Sequence, residues 1–248
     1  KGYHASMKWL ETSQSKRLDP QQQVFPGAQT LIMCGLNYYH GYPFSIDHHD
    51  HERGWISNYA WGDDYHDIIG EKLEKFEDYL HQLMPHCQTR RYVDTGPILE
   101  RSYATSAGFG WVGKNTCLIN TKIGSFFFIG EIITDLDLAI DQPDTDHCGK
   151  CTQCLDACPT HALTPYELDA NQCISYLTIE HRGEMNETLQ TKMGHHLVGC
   201  DICQDVCPWN QKIPQSKENS FKPRPENYYP LLDSLKNITQ EEFSKQFK

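Results

Sequence analysis

Cysteine is the residue type in this sequence whose number and spacing most clearly indicate chemistry. The chain of 248 residues contains eleven cysteines. Eight of them lie between Cys148 and Cys207, and Cys34, Cys87 and Cys117 lie outside that stretch. A secreted domain stapled by disulfides is usually smaller and distributes its bridges along the chain. Cysteines clustered at short spacing instead indicate a metal site.

Two runs within this stretch repeat one spacing. Residues 148–159 read C-x2-C-x2-C-x3-C-P, and residues 200–208 read C-x2-C-x3-C-P. The first run has the spacing of bacterial ferredoxins, in which the fourth cysteine ligates the other of two clusters. We therefore predict two [4Fe-4S] clusters with exchanged ligands. The first takes Cys148, Cys151, Cys154 and Cys207, and the second takes Cys158, Cys200, Cys203 and the nearest spare thiol, Cys173.

Two structural zinc knuckles are the alternative interpretation of these runs, because C-x2-C pairs also suit zinc. The C-x3-C-P endings favour the two-cluster arrangement. Two neighbouring clusters form a path for single electrons. Because a ferredoxin does not need the residues 1–135 that precede the runs, we expect that upstream segment to contain the electron acceptor.

The upstream segment alternates between strand and helix patterns. Apolar residues from Ile68 to Leu83 share one helical face, and Asp63 or Asp64 is expected to cap that helix. The strands at 117–120 and 125–134 are expected to pair through a turn containing Gly124. The expected strands are 30–36, 88–93, 117–120 and 125–134, and the expected helices are 63–84 and 98–107.

Composition divides the rest of the chain. Residues 136–146 form an acidic linker, 147–210 the cysteine-rich unit, and 211–248 a tail whose last residues, 239–248, begin a helix. The chain does not begin with Met, and the final helix is unfinished, so we expect truncation at both ends.

Overall composition excludes two classes of protein. With 22% charged and 11% aromatic residues, the sequence is unlike a disordered chain. No apolar run approaches the ~18 residues of a membrane helix, and the polar first residues contain no recognisable signal peptide. The net charge of −11 argues against nucleic acid as a partner, although the distribution of charge matters more than its sum.

Six segments resemble the epoxyqueuosine reductases, in order and across nearly the whole chain. They are YHASMKWL, ISNYAWGDDYHDII, VDTGPILERSYA, GFGWVGKNTCLI, CISYLTIEHRG and GCDICQDVCPWN. The resemblance implies an α+β fold, with a nitroreductase-like α/β/α cobalamin domain at 1–135 followed by a ferredoxin-like domain at 147–210. It also implies reduction of the epoxide of epoxyqueuosine, at the tRNA wobble position, to the alkene of queuosine. The implied cofactors are cobalamin and two [4Fe-4S] clusters.

Asp94 matches the proton donor proposed for that family. A carboxylic acid can donate a proton near neutral pH only if its pKa is raised, for example by burial. The alternative is that Asp94 caps the helix that begins near Pro97.

The resemblance further implies that Ser57, Tyr59, Lys114, Asn115 and Ser175 contact the corrin. For Lys114 and Asn115 the alternative is simple turn chemistry after Gly113. Segment 64–70 nearly matches the D-x-H-x-x-G motif that supplies a histidine below cobalt, but its glycine falls one residue late. We therefore expect base-off cobalamin with no protein histidine below the cobalt, and His66 as a polar residue at the helix start.

A tRNA partner requires a basic surface despite the acidic chain. We predict a basic rim formed by Arg90, Arg91, Arg101 and Arg182, with the modified base flipped out to reach the cofactor. An external flavodoxin- or ferredoxin-type reductant, a monomeric state and a cytoplasmic location complete the expectation.

Two other functions remain open at this point. One is a corrinoid reductive dehalogenase of a small organohalide, which belongs to the same chemical superfamily. The other is an electron-transfer protein without catalysis of its own. Cys34 and Cys117 are expected to be buried apolar residues, and the histidine-rich segment 47–51 a solvated loop.

Overall fold

The computed structural model describes residues 1–246, in which short helices and strands surround one three-stranded sheet. The helices are α1 (Lys8–Thr12), α2 (Gln14–Leu18), α3 (Pro20–Gln23), α4 (Tyr65–Leu83), α5 (Glu100–Ser106), α6 (Gln153–Ala157), α7 (Ile174–Ile179), α8 (Glu187–Met193), α9 (Ile202–Asp205), α10 (Leu232–Leu235) and α11 (Gln240–Gln246). The strands are β1 (Thr30–Asn37), β2 (Trp55–Ile56), β3 (Thr89–Tyr92), β4 (Trp111–Val112), β5 (Leu118–Ile119), β6 (Phe127–Thr134), β7 (Leu163–Thr164), β8 (Glu167–Leu168) and β9 (His196–Val198).

The main sheet has the order β1-β6-β3, with both outer strands antiparallel to β6. Strand β6 is buried on both faces because a helix packs on each side of it. Phe128 and Ile132 join the core beneath α4, whereas Phe127 and Ile129 pack with Ala104 of α5. The upstream segment is thus layered helix on sheet on helix, and the sequence interpretation of a mixed α and β fold is confirmed.

Helix α4 begins where the sequence predicts. The Asp64 side chain accepts a hydrogen bond from the backbone N–H of His66, and Ile69 and Leu73 are buried against the sheet. Gly130 of β6 makes this packing possible, since a Cβ there would lie 2.9 Å from Ile69 Cγ2. The missing side chain lets the helix approach the strand closely.

The cysteine-rich unit is joined to the upstream segment by backbone pairing. β2 pairs in parallel with β9, which lies just before the second cysteine run. The tail after the unit also returns to the upstream core. Phe221 is buried beside Phe128, and Tyr228 packs on Trp61.

One local expectation is wrong. The strand at 118–119 pairs with β4 rather than forming a hairpin with β6, which instead pairs with β1 and β3. A single bridge between Asn120 and Gly124 is all that joins the two predicted strands. The final helix is present as α11, and residues 247 and 248 of its expected range lie outside the described residues. No helix in residues 1–246 is long and apolar enough to cross a membrane.

Candidate functional site

Four cysteines from the two runs line one cavity of about 210 Å³. Cys148, Cys151 and Cys154 come from the first run, and Cys207 comes from the end of the second. Helices α6 and α9 of the two runs pack on each other, which brings Cys207 to the first run. This is the set of thiols expected from exchanged ligands.

The loop of the first run is fixed to the upstream segment by Lys114. Its ammonium donates hydrogen bonds to the carbonyl oxygens of Gly149 (2.7 Å) and Cys151 (2.9 Å). Trp111 and Trp209 close the same region, with their rings edge to face at 5.1 Å. Ile119, Lys114 and Asn115 line the cavity on the side of the upstream segment.

The other four predicted ligands also face one another. Beyond the effect of burial, the pKa of the Cys200 thiol is raised by Cys173 and Cys158. The pKa of Cys203 is raised by a side-chain hydrogen bond with Cys117 and by burial, and the charges of Cys200 and Cys173 add to the rise. The interactions place all four thiols in one neighbourhood.

Backbone N–H groups point at the sulfurs of this second set. Cys173 lies at the N-cap position of α7, where burial raises the pKa of its thiol and the backbone N–H groups of Tyr176 and Ser175 oppose that rise. The N–H of Ala162 donates to Cys158 Sγ at 3.4 Å. Such bonds stabilise thiolates and tune the potential of a cluster.

Cys117 lies beside this second set, although its distance in sequence from the two cysteine runs did not indicate this. It interacts by a side-chain hydrogen bond with Cys203, and that bond lowers the pKa of Cys117. Cys117 is therefore not an ordinary apolar residue, because its thiol contacts a predicted cluster ligand. The signal that it belongs to the site is its place in the matched segment GFGWVGKNTCLI, not any spacing to the runs.

Asp201, between Cys200 and Cys203, ties the second run to the segment after β2. Its fully buried carboxyl accepts hydrogen bonds from Trp55 Nε1 (3.1 Å), from the N–H of Asn58 (2.8 Å) and from the Ser57 hydroxyl. Sequence reasoning missed Asp201, because an aspartate between two cysteines has no recognisable pattern of its own.

A strip of side chains leads from Asp201 to Asp94. Tyr59 lies along it: burial, with the charges of Asp201 and Asp94, raises the pKa of Tyr59 to about 12. The Tyr65 hydroxyl donates to Asp94 Oδ2 at 3.1 Å. His66 Nε2 lies 3.8 Å from the same oxygen, while His66 Nδ1 is 2.8 Å from Asp64.

Asp94 itself does not cap α5. Its backbone is left-handed, with φ of 57°, and its N–H donates to the Glu100 carboxyl at 3.0 Å. The residue at the cap position of α5 is Leu99, which makes no side-chain bond to the helix. The Asp94 side chain is 65% exposed, so the expected burial by the protein is wrong.

Lys114, Asn115 and Ser175 lie against the cysteine runs. Lys114 bonds the first run, and the buried Asn115 donates to the carbonyl of Cys203 at 3.1 Å. Ser175 lies in α7, where its N–H faces Cys173. The side chains of Lys114 and Asn115 thus hold the loops of the two cysteine runs, and their contact with the corrin stays a prediction.

The four arginines do not form one continuous rim. Arg90 donates to the carbonyl of Val24, and its neighbour on β3, Arg91, pairs with Glu74 and Glu77 of α4 on the opposite face of the sheet. Successive residues of a strand point to opposite faces, so these two cannot act together. Arg101 donates to the carbonyl of Thr116, and Arg182 to the end of α7.

The residues present fit the implied cofactors. Two sets of four thiols, one lining a cavity, are the donors that two [4Fe-4S] clusters require. Within residues 1–246, no three His, Cys, Asp or Glu side chains lie close enough to hold a single metal ion. The face with Tyr59, Tyr65, His66 and Asp94 offers aromatic and polar groups beside the second set.

Two family models match the chain. One is the epoxyqueuosine reductase QueG, DUF1730, over residues 17–95, and the other is the 4Fe-4S double cluster binding domain over residues 147–210. An epoxyqueuosine reductase of Synechocystis sp. is 44% identical over 249 residues, which are 99% of this chain and 84% of that protein.

The chain belongs to the epoxyqueuosine reductase family. A crystal structure of epoxyqueuosine reductase with a tRNA-Tyr epoxyqueuosine-modified tRNA stem loop is 36% identical, with a TM-score of 0.86. That match covers 94% of this chain and 62% of the solved one. A second structure is that of epoxyqueuosine reductase from Bacillus subtilis, with the catalytic aspartate loop swung out of the active site. It is 35% identical, with a TM-score of 0.83, and the match covers 92% of this chain and 60% of the solved one.

Membership of the epoxyqueuosine reductases makes the chain an oxidoreductase of tRNA modification, with cobalamin and two [4Fe-4S] clusters as cofactors. The dehalogenase interpretation is not favoured. A catabolic reductive dehalogenase has a TM-score of 0.51 and 16% identity over 73% of this chain, which shows a common fold and no more.

Proposed function

We propose that this chain reduces epoxyqueuosine at the wobble position of tRNA to queuosine. The observation that carries the proposal is the continuous strip from the second cysteine set through Asp201 and Tyr59 to Asp94. It supports a role for the Asp94 carboxyl as proton donor beside the end of an electron path. An electron-transfer protein without catalysis would have no use for an aspartate supported in this way.

The proposed ligands divide between the two clusters. The first is bound by Cys148, Cys151, Cys154 and Cys207, and the second by Cys158, Cys173, Cys200 and Cys203. The proposal is supported by the cavity that the first four share and by the mutual electrostatic effects of the second four. Electrons enter from an external reductant of the flavodoxin or ferredoxin type.

The reaction consumes two electrons and two protons, and the epoxide oxygen leaves as water. When bound, cobalamin supplies low-valent cobalt for the reduction, and the clusters supply electrons singly. Asp94 gives a proton to the leaving oxygen, and Tyr65 and His66 orient its carboxyl by the contacts described above. Tyr59 would contribute to the corrin-binding face, and Ser57 would support that face through its hydrogen bond to Asp201.

His66 is turned toward Asp94 and Asp64, which supports base-off cobalamin with no histidine from the protein below the cobalt. The tRNA is proposed to approach on the Asp94 side with its modified base flipped out. Arg101 and Arg182 are better candidates for phosphate contacts than Arg90 and Arg91, whose guanidinium groups bind within the sheet region. We propose a monomer located in the cytoplasm, where reduced thiols persist.

Replacing Asp94 tests the function directly. Anaerobically reconstituted Asp94→Asn is expected to reduce an epoxyqueuosine stem loop at least ~100-fold more slowly, since general acid catalysis contributes ~10²–10⁴ in rate. Queuosine formation is measured by mass spectrometry, and the absorption spectrum reports the clusters and cobalamin in each sample. Asp67→Asn, on the exposed face of α4, is the matched control. Full activity of Asp94→Asn would remove Asp94 from its role, and an inactive wild type with both cofactors bound would remove the function.

A further inference from the structure

Two glutamates lie behind Asp94 and have no part in the reaction as described so far. Glu100 is the first residue of α5, and its carboxyl accepts the N–H of Asp94 at 3.0 Å. Glu131 lies in the central strand β6, with Met33 and Tyr92 as its lateral neighbours. Its side chain faces α5, because its alternate neighbours Ile129 and Ile133 pack on that side of the sheet.

Glu131 is in an environment that does not suit a charge. It is 0% exposed, and within residues 1–246 neither of its carboxyl oxygens has a hydrogen-bond partner of normal geometry. An ionised carboxylate buried without a partner is strongly destabilised, so such a group neutralises instead. A neutral carboxyl has an O–H to donate, and the group that faces it is the carboxyl of Glu100.

We propose that Glu100 and Glu131 share one proton and act as positioning residues for Asp94. The protonated Glu131 supports Glu100 from inside the sheet, and Glu100 fixes the left-handed backbone of Asp94 through its N–H. The pair carries one negative charge directly behind the backbone of Asp94. The proposal rests on the proposed role of Asp94 as proton donor.

The electrostatics of the pair agree with this arrangement. Burial, followed by the charge of Glu100, raises the pKa of Glu131, and burial followed by the charge of Asp94 raises that of Glu100. Arg101 opposes the second shift. Burial, followed by the charge of Glu131, also raises the pKa of the Cys34 thiol on the neighbouring strand β1.

Proton sharing has a consequence for stability that does not depend on turnover. A carboxyl whose pKa is raised in the folded state binds more protons there than in the unfolded chain, where a glutamate has a pKa of ~4.3. Its stabilising contribution is complete below that value and is lost as pH rises through the folded-state pKa. The unfolding temperature of the wild type should therefore fall as pH rises, and Glu131→Gln should flatten this fall.

The test uses the holoenzyme with both cofactors, compared at several pH values from about 6 to about 8.5. The unfolding temperature is measured for the wild type, Glu131→Gln and the control Glu71→Gln, which changes an exposed glutamate of α4. We expect Glu131→Gln alone to have a reduced pH dependence. The same pH dependence in all three proteins would overturn the shared proton.

The effect on Asp94 is read from kcat and KM with the epoxyqueuosine stem loop. Glu100→Asp withdraws the acceptor from the Asp94 N–H, so kcat should fall roughly tenfold with little change in KM. Glu100→Gln keeps a side-chain oxygen that can accept this N–H, so it should retain most of the wild-type kcat. A wild-type kcat in Glu100→Asp, whose folding the cofactor spectra verify, would overturn the positioning role.

Failure of this proposal is distinguishable from failure of the proposed function. If the wild type does not reduce the stem loop, the function fails, whereas the unfolding temperatures still report the shared proton. If the wild type reduces the stem loop but the variants behave as it does, only the glutamate pair is wrong.

Discussion

Single residues join the two cofactor-binding halves of this molecule, and Asp201 is the most informative of them. Its carboxyl accepts three hydrogen bonds from the segment after β2, although it lies between two cysteines of the second run. Full burial raises the pKa of Asp201, while these donors oppose the shift. A substitution at this contact should therefore change both the stability of the protein and the position of the side chains that lead to Asp94.

Ser57→Ala is expected to weaken this contact without removing it. The substitution deletes one donor to a buried carboxyl, and the loss of such a bond costs ~1–3 kcal/mol. The measurement is the midpoint of denaturant unfolding for the holoenzyme. Ser102→Ala, on the exposed side of α5, is the control and should not change the midpoint. Equal stability of both variants would show that the Ser57 hydroxyl does not support Asp201.

Secondary-structure elements position the site through close packing that the sequence only partly discloses. The capped start of α4 and the long strands β1 and β6 were predictable, because apolar periodicity and turn residues are local signals. The pairing of β5 with β4 was not, since Gly124 made a hairpin equally plausible on local grounds.

Local sequence signals also predict only part of the site. Cysteine spacing groups the ligands because one motif encodes them, whereas Asp201, Tyr65, Glu100 and Glu131 become neighbours of the site only through the fold. Arg90 and Arg91 show that residues adjacent in sequence need not act at the same site. Both lie in a basic stretch of sequence, yet strand alternation directs them to opposite faces of the sheet.

Gly130→Ala tests the packing of α4 on the sheet. Its Cβ would lie 2.9 Å from Ile69 Cγ2 and 3.0 Å from Leu73 Cδ1, so the helix side chains must move. Such overpacking costs ~1–3 kcal/mol. Gly70→Ala in α4 is the matched control: its Cβ meets nothing within 4 Å, and alanine should stabilise the helix by up to ~1 kcal/mol. Opposite changes in the free energy of unfolding are expected, and a neutral Gly130→Ala would contradict the close approach.

At the scale of the whole molecule, we propose that the two cysteine runs exchange one ligand each and that Cys173, which lies outside both runs, completes the second set. Cys173 lies at the start of α7, where backbone N–H groups face its sulfur, and its charge acts on Cys200 and Cys203. Cys117 is the competing candidate, because it interacts directly with Cys203. Its place after β4 in the upstream segment makes it a neighbour of the second set through packing rather than through a motif.

Iron content separates these two candidates. Two [4Fe-4S] clusters give about eight irons per chain, so Cys173→Ala should reduce the anaerobic iron content to about four. Cys117→Ala and the control Cys87→Ala should keep about eight. If instead Cys117→Ala lost half of its iron and Cys173→Ala did not, the ligands would have to be reassigned. The first cluster should survive in Cys173→Ala, because its four thiols line a separate cavity. Electrons would then reach the molecule but not the Asp94 strip, so this variant should lose epoxide reduction while its remaining cluster still accepts an electron.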